Sequence, residues 1–231
     1  MITLAFDSTA KVATVAVLSD ERVIASYTID NGFTQSELLL PMAEDMLGSL
    51  SLSFSNIGLF ACSVGPGSFT GVRIGAALVK GLAFGKDKCV LGVSALEAMA
   101  RTQLPRKGLI VPAMDARRGE VYTAVFRAEG DTLTRLMPDT ACPAGDLEAW
   151  LTAHAAGEDL LAVGDGVPVL KKALSLPFAV APAAIAEQHA VGVAQAAFSA
   201  YQAGARGTDR TLAPIYLRLP QAERERLAKE K

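Results

Sequence analysis

Two aspartates stand out by position. Asp7 closes the apolar run Ile2 to Phe6 and opens Asp7-Ser8-Thr9, and Asp115 closes the apolar run Leu109 to Met114. In an open α/β sheet, ligands sit beyond the carboxyl ends of the strands. A pair of strand-end carboxylates facing across a cleft is an arrangement that places a magnesium-nucleotide. Either aspartate alone fits better as the residue that opens a turn after a strand. Their matching positions in two halves of the chain bring the two readings level. The other sharp signal is GPGSFTG, Gly65 to Gly71. Its glycines permit backbone conformations closed to other residues, and the helix that follows offers free N–H groups and a positive dipole end, which suits a phosphate. No Lys-Ser/Thr follows the second glycine, so it is not a Walker A loop. The G-x-G-x-x-x-G spacing of Gly65, Gly67 and Gly71 also misses the dinucleotide fingerprint. A tight strand-to-helix turn is the plainer reading.

Metal and nucleophile chemistry find little to work with. The two histidines, His154 and His189, form neither H-x-x-x-H nor H-E-x-x-H, and no G-x-S-x-G surrounds Ser63, Ser68 or Ser94. The three cysteines, Cys62, Cys89 and Cys142, are odd in number, far apart and without a CxxC pair. They read as small, mostly buried thiols in a reducing cytosol.

The elements that must hold these residues follow from the hydrophobic period. After the first run, Val12 to Leu18 and Val23 to Ile29 read as strands around a Ser19-Asp20-Glu21 turn. A helix is expected over Thr34 to Leu50, with Leu38, Met42 and Met46 near one side and Leu39, Ala43 and Leu47 beside them. Ile57 to Ser63 is a buried-strand pattern, and the glycine-rich turn leads into a second helix reaching Phe84. Val90 to Val93 is another strand, and Ser94 with Glu97 forms a capping box for a third helix.

The second half repeats the order. Leu109 to Met114, Glu120 to Arg127 and Thr132 to Met137 read as strands, followed by a helix over Asp146 to Ala155. A strand at Leu160 to Val163 ends in Gly164-Asp165-Gly166. A short helix near Val169 to Leu174, a run around Phe178 to Val180 and a long Ala-rich helix over Ala183 to Ala203 complete the series. Both halves thus read βββαβα, a duplication of order without identity of residues. The expected division is an N-terminal lobe over 1–104 and a C-terminal lobe over 105–231, with the last long helix packing back on the first lobe. The tail QAERERLAKEK alternates in sign and reads as a solvated helix end.

Composition narrows the class. The 231 residues are 51% hydrophobic and 20% charged, too apolar for a disordered chain, with a formal charge of −2. That balance argues against a stand-alone nucleic-acid binder. The opening MITLAFD has no basic leader, so no signal peptide is expected. The uncharged stretches Met46 to Val72 and Gln188 to Ala205 are broken by polar residues or rich in alanine, which suits a globular protein outside the membrane.

The helix after the glycine-rich turn carries Gly71, Gly75, Gly81 and Gly85. Interior glycines at 75 and 81 cost about 1 kcal/mol each relative to alanine. Such a loss is expected to serve close approach, either to the chain's own sheet or to another subunit.

LAFDSTA, GPGSFTGVRIGAALVKGLA, DARRGEVY (Asp115 to Tyr122) and PIYLR (Pro214 to Arg218) together resemble the bacterial TsaB subfamily, also called YeaZ. The resemblance implies the duplicated ribonuclease-H-like, two-lobed α/β fold of the actin/sugar-kinase/Hsp70 superfamily. It also implies a cytoplasmic role in making threonylcarbamoyladenosine beside the anticodon of tRNA. There the subfamily serves as a non-catalytic dimerisation partner of the paralogue TsaD, joined by the small ATPase TsaE, with tRNA met indirectly. On this chain the resemblance places a vestigial nucleotide site at Asp7, Ser8, Thr9, Asp115, Gly164 and Gly166. No metal or cofactor is required, and ATP or ADP is expected only in the complex. The pairing surface, with the paralogue or with a second copy, is expected at Leu38, Leu39, Met42, Met46, Gly71, Val72, Gly75, Leu78, Val79 and Leu82. The rival expectation is an ATP-dependent phosphotransferase of the sugar/acetate-kinase type.

Overall fold

The structure is a computed structural model that describes residues 1–155 and 157–218. The charged tail from Gln221 onward lies outside the described residues. Among the described residues ten strands form two five-stranded sheets. The first contains β1 (Ile2–Asp7), β2 (Ala13–Ser19), β3 (Arg22–Ile29), β4 (Leu59–Gly65) and β5 (Cys89–Ser94), in the order β3-β2-β1-β4-β5. The second contains β6 (Arg106–Arg117), β7 (Glu120–Gly130), β8 (Thr132–Pro143), β9 (Leu160–Val163) and β10 (Ala179–Val180), in the order β10-β9-β6-β7-β8. In each sheet the first three strands run antiparallel as a meander, and the last two add in parallel to the first strand's other edge. The duplicated order read from the sequence is therefore a duplicated topology.

Among the described residues six α-helices cover the sheets: α1 (Gln35–Ser49), α2 (Phe69–Ala83), α3 (Ala95–Arg101), α4 (Ala144–His154), α5 (Val167–Ala173) and α6 (Ala190–Gln202). β4 is buried at every residue because both sheet faces are covered. On one face Leu4, Phe6, Phe60 and Cys62 meet Leu39, Met42, Met46 and Val79 of α1 and α2. On the other, Ala5, Ala16, Ala61, Ala194 and Ala197 let α6 lie close to the sheet. α3 joins the two lobes, with Leu96 and Met99 packed on Ile110, Met114 and Phe126 of the second sheet. The opposite face of that sheet takes Leu147, Leu151 and Leu170 of α4 and α5. Among the described residues no helix is long and apolar enough to cross a membrane.

Three local expectations are corrected. The last helix begins at Ala190, after a separate short 3-10 turn at Ala183–Ile185. His189 ends the irregular segment as the N-cap: its Nδ1 accepts from Val191 N, and Ala190 N donates to Thr14 Oγ1 on β2 at 2.7 Å. At α3, Ser94 Oγ accepts from Glu97 N as a cap should, but the Glu97 carboxylate turns to Arg101 and Arg135. The Glu37 carboxylate at α1 instead makes the reciprocal bonds, accepting from Thr34 N and Oγ1 at 3.1 and 2.8 Å. β6 runs two residues past Asp115, so that aspartate lies within a hairpin arm, where it faces Val121.

Candidate functional site

A cleft of about 580 Å³ opens between the lobes. Thr9, Lys11, Gln35 and the loop Pro66 to Phe69 line it from the first lobe; Met114, Asp115, Arg117, Tyr122 and Asp165 line it from the second. The segment Ile215 to Arg218 completes the wall. Hydrogen bonding and close packing hold the first-lobe side. Ser68 N donates to the carbonyl of Thr9 at 2.7 Å, and Ser68 Oγ caps α2 by accepting from Gly71 N. Position 67 calls for glycine: its φ is 152°, and a Cβ there would lie 2.4 Å from the Thr9 carbonyl oxygen.

Asp7 does not reach this cleft. It is 1% exposed and accepts from Thr9 N and Thr9 Oγ1 at 2.8 and 2.6 Å and from Ser63 Oγ. Burial holds its carboxyl above the usual carboxylate range, against the pull of those bonds. The turn-opening role wins for Asp7 because Thr9 of its own loop engages one carboxylate oxygen and Ser63 of β4 the other. Ser8 is likewise buried and donates to the Gly71 carbonyl at 2.8 Å. Thr9 alone of the three lines the cleft.

Across the cleft stands Asp115, which accepts from Arg117 N at 2.7 Å and meets Arg117 Nη1 at 3.4 Å. Its carboxylate companion is Asp165 rather than Asp7. Asp165 Oδ1 accepts from Asp115 N at 3.2 Å, and burial pushes the Asp165 carboxyl upward. Gly164 and Gly166 do not line the cleft. Cβ atoms there would lie 2.2 and 2.9 Å from the Ala113 carbonyl oxygen, so these glycines let the β9–α5 turn press against β6. Asp165 escaped the sequence reading as a site residue because it was taken only as the middle of Gly164-Asp165-Gly166. Lys11 carries no local signal beyond its charge, and Arg218 stands out only as the last residue of the PIYLR motif.

The expected pairing surface is largely turned inward. Leu39, Met42, Met46, Val72 and Val79 are each at most 5% exposed, in the chain's own core. Gly71 and Gly75 are buried against the Ser8 loop. A Cβ at Gly71 would lie 1.8 Å from the Ser8 carbonyl oxygen, and one at Gly75 would lie 2.7 Å from Ser8 Oγ. The close approach bought by these two glycines is therefore internal. Leu38, Leu78 and Leu82 remain half-buried at the core's edge.

The solvent face of α2 carries Thr70, Arg73, Ala77 and Gly81, with the exposed C-cap Phe84 just beyond, and a Cβ at Gly81 would meet nothing within 4 Å. Beside it α1 bears Glu37, Glu44 and Asp45 with no Lys or Arg, whereas α2 bears Arg73 and Lys80 with no Asp or Glu.

Over residues 34–225 the chain matches the family described as TsaD, tRNA N6-adenosine threonylcarbamoyltransferase. It is 34% identical to the tRNA threonylcarbamoyladenosine biosynthesis protein TsaB of Bacillus subtilis, over 60% of this chain and 61% of that protein. With the Escherichia coli protein of the same description it shares 37% identity, over 54% of this chain and 55% of the relative. The aligned segments thus span a little over half of these curated relatives. Among solved structures it is similar to YeaZ from Pseudomonas aeruginosa, with a TM-score of 0.82 and 26% identity over 94% of this chain and 99% of that one. A ROK hexokinase from Thermus thermophilus, at 12% identity and a TM-score of 0.51 over 88% of this chain and 100% of that one, shares the two-lobed fold alone.

Proposed function

The chain belongs to the TsaD family and, within it, to the TsaB/YeaZ subfamily, and on that premise we propose that it is a non-catalytic docking subunit in the threonylcarbamoylation of tRNA adenosine. Its partners in this reading are a TsaD-like paralogue, which performs the transfer, and a TsaE-like ATPase. A second copy of the chain takes the same surface when the paralogue is absent. The tRNA is met through the partners, in the cytoplasm, and ATP or ADP enters the cleft only within the assembly.

The observation that carries the reading is the solvent face of α1 and α2. Ala77 and Gly81 offer a shallow track where another helix can approach, bordered by the half-buried Leu78 and the exposed Phe84. The acidic edge of α1 beside the basic edge of α2 favours a twofold arrangement, in which α1 of one partner lies along α2 of the other. Gly75→Leu is no test of pairing, since it would strike Ser8 inside the protein. Gly81→Leu is the test: the position is open, and leucine favours the helix by about 0.8 kcal/mol over glycine. The expected outcome is a variant at least as stable as the parent that no longer co-elutes with the TsaD-like paralogue on size exclusion. Co-elution at the parent's level would remove the support for this face.

The rival phosphotransferase reading draws on Asp115 and Asp165, which do share the cleft. Phosphate release from ATP by the isolated chain at about 1 per second or faster, within the common range of enzyme turnover, would favour it. The docking reading expects no such turnover.

A further inference from the structure

The segment after α6 returns to the cleft mouth and spans it. Leu212 is buried in the core of the first lobe, and Ile215 N donates to the Val64 carbonyl at 2.7 Å. Gly65 leaves room for this crossing, because a Cβ there would lie 2.4 Å from the Ile215 carbonyl oxygen. Tyr216 lies against Phe69 with ring centroids 4.5 Å apart, and its hydroxyl accepts from Arg73 Nε at 2.8 Å. The Arg73 guanidinium also covers Phe69, 3.8 Å from the ring centre. On the second lobe the polar attachment is Arg218, which donates to the Ala116 carbonyl at 2.9 Å and pairs with Glu120 at 2.5 Å. The lobes are otherwise tied through the β5–α3 corner, where Ser94 Oγ donates to Asp139 at 2.6 Å and Arg135 meets Glu97 at 3.2 Å.

We propose that residues 214–218 are a latch across the cleft mouth, with Arg218 as its catch on the second lobe and the α3 corner as the hinge. Closed, the latch walls the cleft and shields Phe69. Open, it frees the lobes to separate and gives a ligand or partner segment a way in. Ile215 and Tyr216 are 57% and 41% exposed, so the strap rests on the surface and its release sacrifices little apolar burial. A segment with few buried contacts opens locally at far lower free energy than the sheet beneath it. Arg73 stands on the solvent face of α2 while holding Tyr216, so an anion captured by Arg73 on that face would loosen the latch from outside.

The test is native-state hydrogen exchange on the full chain, alone in solution. The Ile215 amide is expected to exchange through a local opening, insensitive to low denaturant, while Ala61 at the centre of β4 exchanges only by global unfolding. Arg218→Ala should speed Ile215 exchange by about tenfold, as expected for loss of a charge-assisted bond, and leave Ala61 unchanged. A nitroxide pair at exposed Glu21 and Asp131, one on each lobe and neither on the α1–α2 face, should report a wider spread of distances between lobes in the same variant. Ile215 exchanging with the denaturant dependence of Ala61, or an Arg218→Ala variant with unaltered Ile215 exchange or an unaltered distance distribution, would overturn the proposal. Although Arg73 belongs to both the α2 edge and the latch, the latch test alters Arg218 and the docking test alters Gly81, so failure of one is distinguishable from failure of the other.

Discussion

Asp7 shows how one residue type can serve two ends. At the end of β1 it looks like a ligand-binding carboxylate, yet its oxygens are consumed by Thr9 and Ser63. Asp7→Ala would leave those donors unpaired in a buried site and is expected to cost about 2 kcal/mol in denaturant unfolding. Asp7→Asn keeps an acceptor and should cost well under half of that. The pH dependence separates the two roles of the charge. Because burial raises the folded-state value above the ordinary 3.8, the stability from Asp7 is full below that value and is lost as pH climbs through the folded one. Half-buried His189, held below its ordinary 6.5, acts in the other sense: its contribution is full above 6.5 and is lost as pH falls through the folded value. The difference between parent and Asp7→Asn in urea titrations should therefore move in favour of the variant as pH rises above 3.8. Cys62 offers a simpler check. Burial, with Asp7 nearby, pushes its thiol up to about 12, so it should stay unmodified by an alkylating reagent at neutral pH until the chain unfolds.

At the scale of elements, the strands and most of the helices were legible because each apolar run has its own period and punctuation. α6 began seven residues late, since its start is set by His189 and by Thr14 on a distant strand, a cap no local pattern announces. The surface of α1 and α2 was misread for a definite physical reason. The apolar stripe of an amphipathic helix marks the side that faces its own core, so Leu39, Met42, Met46, Val72 and Val79 were drawn from the inside. The outer face was legible one step round the helix, where Arg73, Ala77 and Gly81 fall together. Gly75 and Gly81, equal in composition, separate sharply in space. Gly75→Leu is expected to lose about 2 kcal/mol by overpacking against Ser8, whereas Gly81→Leu should keep or raise the melting temperature.

For the molecule as a whole, the duplicated sheet order could be read in advance because both halves repeat one sequence of elements. Half of the cleft's carboxylate pair could be read too. Asp115 does line the cleft, though from within a hairpin arm and not opposite Asp7, and Asp165 arrives from a turn whose glycines serve packing against Ala113. The −2 charge also takes on a narrower meaning. It suits a subunit whose opposed helical edges recruit a protein partner and which leaves RNA contact to that partner. The docking account is tested most directly by nucleoside mass spectrometry of tRNA from a reconstituted reaction of this chain, the TsaD-like paralogue and the TsaE-like ATPase. In a reaction supplied with ATP and an activated threonylcarbamoyl donor, the account predicts threonylcarbamoyladenosine with the parent chain and background levels with Gly81→Leu or with the chain left out. Full modification in either of those two reactions would contradict it.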